Sequence, residues 1–179
     1  IPGWGGCKEM LVRLAQNPRM PKGPMPPVAK AFETIGTAQV AKSAEQAKEL
    51  GFFRHDDRIV MNRDRVLYEA KQEALRLAEA GYQPPEPAEL RLPGPSGRAA
   101  LDMALDGFKQ RGMLTPHDEV VSAALAEVLT GGPEADHTVP MTEDDVIKLE
   151  REHFAGLIRT AGTVARVEHM LETGKPLRN

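Results

Sequence analysis

A glycine-rich turn leads into the first helix of the chain. Residues 2–6 read Pro-Gly-Trp-Gly-Gly, and the apolar periodicity that follows predicts a helix from Gly6 to Ala15. Backbone N–H groups at a helix start attract anions, and Lys8 lies close by, so the pattern is consistent with a phosphate-binding nest. The Walker spacing is absent, however, and a tight strand-to-helix turn also requires glycine. We therefore interpret these glycines as turn residues.

A Glu-x-x-His pair at Glu150 and His153 could contribute to a metal site. Di-metal helical bundles use such pairs, but they need a second copy on another helix, and the sequence has none. We therefore predict no metal site and interpret His153 as a half-buried helix residue. The charged run 150–152 is most simply a solvated helix face.

Two residues could act as nucleophiles. Ser96 lies between glycines but lacks the Gly-x-Ser-x-Gly elbow, and its position predicts a helix cap instead. Cys7 lies on the apolar stripe of the first helix, which favours a buried thiol over a reactive one.

Short helices joined by proline- and glycine-rich turns are predicted along the rest of the chain. Residues 18–27 hold five prolines and predict a loop, and Arg58–Met61 predicts a brief strand. Capping signals and apolar stripes predict further helices that begin near Val28, Ser43, Asn62, Ser96, Thr115 and Thr142, with a last one before Gly174. The predicted fold class is all-α.

Composition excludes several classes of protein. A formal charge of -3 over 179 residues gives no electrostatic case for nucleic-acid binding. No apolar run approaches the length of a membrane span, and no secretory signal opens the chain. Cys7 is the single cysteine, which suits a reducing compartment. We therefore expect a cytoplasmic protein.

Several segments resemble the crotonase (enoyl-CoA hydratase/isomerase) family. Pro-Gly-x-Gly-Gly at residues 2–6 is typical of the turn after the catalytic strand in that family, and residues 43–53 resemble its Ser-Ala-x-x-Ala helix. The tail 170–179 and the segments 56–65 and 80–85 resemble the end of bacterial fused enzymes. In those enzymes 3-hydroxyacyl-CoA dehydrogenase domains come first and an enoyl-CoA hydratase domain comes last.

The resemblance implies a domain organisation. Residues 1–83 would be the C-terminal helices of a crotonase-like hydratase domain, residues 84–95 a proline-rich linker, and residues 96–179 a small four-helix extension. The chain would then be the C-terminal part of a fatty-acid β-oxidation enzyme. The two catalytic glutamates and the oxyanion-hole donors of the family would precede residue 1, so we expect the isolated chain to be inactive.

The resemblance also implies a site and partners. The Gly3 backbone would approach the reacting water, and Pro2, Gly3, Gly5 and Gly6 would contact acyl-CoA. No Gly-x-Gly-x-x-Gly follows a predicted strand, so we expect no cofactor within the chain and NAD in the parent dehydrogenase domain. The expected partners are the remaining domains of the same chain and further copies in a homo-oligomer. The alternative is a non-catalytic helical protein–protein interaction module.

Overall fold

The computed structural model describes residues 2–179 and confirms the all-α fold class. Contacts divide the chain into two compact units, one joining the residues up to Gln39 with Ala88–Asn179, the other comprising Val40–Pro87. Within the described residues, none of the helices combines the length and the apolar composition that a membrane crossing requires. In chain order the helices are α1 (Gly6–Gln16), α2 (Met25–Gly36), α3 (Ala44–Glu49), a 3-10 helix (Arg63–Arg65), α4 (Val66–Glu79), α5 (Gly94–Gln110), α6 (Pro116–Thr130), α7 (Glu143–Leu157) and α8 (Ala161–Thr173).

The core of the first unit joins helices from both ends of the sequence. Helices α1 and α2 pack against each other, and both pack against α6, while α7 packs against α1 and α6. Fully buried side chains of this core are Leu11, Val28, Leu125, Leu129 and Val146. Helices before and after residues 84–95 therefore share one core. The predicted boundary concerns the domains of a longer protein, and it stays a prediction.

A short antiparallel ribbon lies within the same unit. Strand β1 (Glu89–Leu90) pairs with β2 (Met141–Thr142), with Glu89 opposite Thr142. The Ala88 N–H donates to Oε1 of Glu143 at 2.7 Å, which ties the chain before β1 to the first turn of α7. The proline-rich segment 84–95 thus contains a strand, which the sequence did not predict.

In the first unit, two helix starts differ from the prediction. Helix α2 begins at Met25, because prolines in the first turn lose no hydrogen bond. Helix α5 begins at Gly94, and the Ser96 hydroxyl donates to the Pro93 carbonyl oxygen at 2.8 Å. The predicted cap at Ser96 is therefore wrong, since this residue lies inside the first turn.

Capping boxes fix the starts of α6 and α7, as predicted. At Thr115 and at Thr142 the hydroxyl accepts the N–H of the third helical residue, whose carboxylate accepts the threonine N–H in return. Helix α6 ends at Gly131 with φ 91°, a left-handed conformation that glycine adopts without strain.

The second unit contains α3, the 3-10 helix and α4. Ser43 caps α3, as predicted. Asn62 caps the 3-10 helix, whereas the prediction placed this cap on the long helix α4, which begins at Val66. The predicted strand at Arg58–Met61 is wrong, because the structure gives this segment no pairing partner. Helix α4 buries none of its residues, and the Leu67 side chain is 82% exposed.

Candidate functional site

The N–H groups of the glycine-rich turn bind a carboxylate that is distant in the sequence. The N–H groups of Gly5 and Gly6 donate to Oε1 of Glu150 at 2.9 and 3.0 Å. Those of Cys7 and Lys8 donate to Oε2 at 3.1 and 3.3 Å. Helix α1 has no side-chain cap of its own, and Glu150 is fully buried. Its carboxylate therefore takes the four N–H groups that a helix start leaves unpaired.

The position of Glu150 corrects the prediction for the charged run 150–152 and bears on the possible anion-binding nest at the turn. The run 150–152 is not simply a solvated face, since Glu150 has no exposed surface. The anion that a nest at this turn would attract is supplied by the chain itself. Within residues 2–179, no group of three or more His, Cys, Asp or Glu side chains could hold a metal ion.

Helix α7 also packs against the rest of the turn. A Cβ on Gly3 would lie 2.6 Å from Cγ of Phe154, so only glycine fits beneath this ring. A Cβ on Gly6 would lie 2.6 Å from the Cβ of Pro2. The structure thus brings Pro2, Gly3, Gly5 and Gly6 together in one turn, while Trp4 points away and is 97% exposed. Their contact with acyl-CoA remains a prediction.

Lys8 is engaged in ion pairs beside the turn. Its Nζ lies 2.7 Å from Glu143 Oε2 and 2.5 Å from Glu9 Oε1. Burial acts to lower the pKa of Lys8, but hydrogen bonds to Glu143 and Glu9 outweigh it and raise the pKa. The lysine is therefore a charged link between α1 and the start of α7.

Cys7 is completely buried, as predicted. Burial raises the pKa of its thiol strongly, and the nearby Glu150 carboxylate raises it further. Because the thiolate is the reactive form, this thiol is inert.

Two clefts lie in the first unit. The larger, about 360 Å³, has apolar walls from α1, α2 and β1 and contains one carboxylate, that of Glu89. The smaller, about 220 Å³, contains Asp102 and Glu127, and both carboxylates bind the Arg98 guanidinium. Hydration of an enoyl thioester requires one carboxyl group as acid and another as base. The larger cleft has one carboxylate, and in the smaller cleft both carboxylates are paired with Arg98.

A polar cluster holds the tail of the chain. Arg166 donates to Asp118 Oδ1 at 2.8 Å and to the Asn179 side chain at 2.7 Å, and the Asn179 carbonyl oxygen accepts the His117 N–H. His117 Nε2 lies 2.9 Å from Thr163 Oγ1. Burial lowers the pKa of His117, and the Arg166 charge adds to the effect. No signal in the sequence marks this cluster, because its members are up to 62 residues apart and show no periodic pattern.

The chain is similar to part of a longer bacterial protein. The chain is 38% identical over all 179 residues to a protein of Bacillus subtilis (strain 168) described as "Probable 3-hydroxyacyl-CoA dehydrogenase". The chain spans 22% of the length of that relative. No protein-family model matches the chain, and no solved structure matches it. The chain is thus similar to part of a metabolic enzyme.

The start of helix α1 does not fit the diphosphate of a dinucleotide. A bound diphosphate requires free N–H groups at a helix start that follows a strand. At α1 those groups are bonded to Glu150, and each strand in the described part has two residues. No step of a reaction is therefore assigned to NAD within this chain.

Proposed function

We propose that this chain is the C-terminal part of a fatty-acid β-oxidation enzyme that combines 3-hydroxyacyl-CoA dehydrogenase and enoyl-CoA hydratase activities. The observation that carries this proposal is the 38% identity along the whole chain to 22% of a probable 3-hydroxyacyl-CoA dehydrogenase. In the proposed parent, NAD belongs to the dehydrogenase domain and acyl-CoA is the substrate. We further infer a cytoplasmic location and a homo-oligomer.

The proposed role of the chain is to wall the acyl-CoA site and to hold the domains of the parent together. Hydration needs an acid and a base around one water, together with donors for the enolate oxygen. In the described residues Glu150 binds backbone N–H groups, while Asp102 and Glu127 bind Arg98. Glu89 has no second carboxyl group beside it in its cleft. These pairings support a chain that is not catalytic by itself.

The hydrogen bonds of the turn narrow the proposed contact with substrate. The N–H groups of Gly5 and Gly6 already bind Glu150. In the proposed site, the contact with acyl-CoA therefore comes from Pro2 and Gly3, with the Gly3 backbone next to the reacting water.

A deletion in the Bacillus subtilis relative tests this role. We expect the intact relative to hydrate enoyl-CoA and to oxidise 3-hydroxyacyl-CoA with NAD. Removal of the stretch that matches this chain should abolish hydration and leave the oxidation measurable, which also shows that the rest of the protein is folded. Hydration that survives the deletion, or that is absent from the intact relative, would contradict the proposal.

A second function is favoured by helix α4. Its apolar side chains lie on the surface of the second unit, with Leu67 82% exposed and Leu75 47% exposed. Apolar helix faces of this kind bind partner helices. Under this alternative the chain is a non-catalytic interaction module. A deletion that leaves both hydration and oxidation by the relative unchanged would favour this alternative.

A further inference from the structure

We propose that Glu150 is a positioning residue that fixes the shape of the Pro2–Gly6 turn. The inference deepens the proposed function and rests on it in one respect, namely that the turn serves an acyl-CoA site. The hydrogen bonds from Gly5, Gly6, Cys7 and Lys8 are the evidence for the positioning itself.

One face of α7 is complementary to the turn. Positions 143, 147, 150 and 154 recur at intervals of four, three and four residues, and therefore lie on one side of the helix. Glu143 binds the Lys8 Nζ at 2.7 Å, and a Cβ on Gly5 would lie 4.0 Å from Ile147 Cγ1. With Glu150 and Phe154, this face contacts the turn at Gly3, Gly5 and Gly6.

The turn has no side-chain cap of its own that would stabilise its conformation. Gly5 is the N-cap of α1, adopts φ 89° and makes no side-chain capping bond. Four adjacent N–H groups left without acceptors in a buried place are costly. A fully buried carboxylate without donors is also costly. The pairing satisfies both groups at once, so the shape of the turn depends on a residue 145 positions away in the sequence.

Chemical rescue separates positioning by the carboxylate from a general packing role. Truncation in Glu150→Ala leaves a space lined by four N–H groups, which a small carboxylate can enter. Glu150→Gln offers one oxygen to two N–H groups and turns its own NH₂ toward the other two. Glu152→Ala is the matched control, because it removes the same charge from an exposed position of the same helix.

The experiment records amide NMR spectra and hydrogen exchange of the 179-residue chain, with formate as the probe and chloride at equal ionic strength as its control. In Glu150→Ala we expect the amides of residues 5–8 to shift and to exchange at least about tenfold faster. Formate should restore both properties with saturation, whereas chloride should not. Glu150→Gln should be perturbed as well, and Glu152→Ala should match the unmodified chain.

A variant that unfolds also gives a decisive result. If Glu150→Ala loses its helical circular dichroism, formate should raise its melting temperature more than chloride does. Equal effects of formate and chloride, or unchanged amides of residues 5–8 in Glu150→Ala, would overturn the inference. Because no acyl-CoA is present, rescue by formate together with failure of the deletion test would leave the positioning intact and reject the proposed function.

Discussion

The ring of Phe154 lies directly over Gly3, and a Cβ on Gly3 would come within 2.6 to 2.8 Å of three ring carbons. Phe154 is one turn of α7 beyond Glu150, which binds the N–H groups of the same turn. Packing and hydrogen bonding therefore act on the turn from one helix face.

The first prediction concerns this contact. Gly3→Ala should lower the free energy of unfolding by about 1–3 kcal/mol, because the ring or the backbone must move. The cost should be smaller in a Phe154→Ala background, since the obstructing ring is gone. Urea unfolding followed by circular dichroism measures both. Gly156→Ala is the control: it has no atom within 4 Å of the added Cβ, and it should leave stability unchanged or raise it.

The second prediction concerns pH and His117. Its pKa is lower in the folded state than its usual 6.5, so below pH 6.5 the unfolded state binds more protons. The free energy of unfolding should therefore fall as the pH falls from 7 to 5, by at most about 1.4 kcal/mol per pH unit for this group. His117→Gln should flatten this dependence.

Asp118 should cause a second, separate loss at lower pH. Burial acts to raise the pKa of Asp118, but hydrogen bonds from Thr115 and Arg166 outweigh it and hold the pKa below 3.8. Protonation of this carboxylate in the unfolded state therefore removes stability only as the pH falls below about 4. A single broad transition that His117→Gln does not alter would contradict both assignments.

The third prediction compares the two capping boxes. Thr142→Ala should cost about 1 kcal/mol of unfolding free energy, the usual value for loss of a cap. Thr115→Ala should cost more, because the Thr115 hydroxyl also accepts a hydrogen bond from Arg166 at 3.2 Å. Unfolding in urea gives the order of the two variants, and equal or reversed costs would show that the Arg166 contact adds nothing.

The fourth prediction concerns self-association through α4. Sedimentation of the chain should show a concentration-dependent oligomer, because α4 leaves its apolar side chains in solvent. Leu67→Glu should weaken the association at little cost in stability, since this side chain is 82% exposed. Leu171→Glu changes a leucine of α8 that is 81% exposed and serves as the control. A monomer at all concentrations would reject the prediction.

Local signals in the sequence predicted much of the fold. Helix α1 begins at Gly6 as predicted, and the threonine caps at Thr115 and Thr142 mark true helix starts. The two threonine caps depend on residues within one turn of each other. Ser96 shows the limit of such signals, because the helix starts at Gly94, three residues earlier than a cap at Ser96 would place it.

Long-range relationships could not be predicted in the same way. Glu150 sits in a charged run, and nothing near it in the sequence marks a buried acceptor for N–H groups of residues 5–8. The apolar stripe of α4 resembles that of a buried helix, yet its side chains are exposed. Periodicity identifies an apolar face, whereas only the folded chain shows what covers it.

Replacement of the matching stretch of the Bacillus subtilis relative by this chain tests the central claim most directly. The stretch is 38% identical to the chain over all 179 residues, which makes the exchange conservative. The rest of the relative is unchanged in the chimera, because only this stretch is replaced. We predict that the chimera hydrates enoyl-CoA, while the relative without the stretch and the isolated chain do not. A chimera that oxidises 3-hydroxyacyl-CoA normally but has no hydratase activity would contradict it.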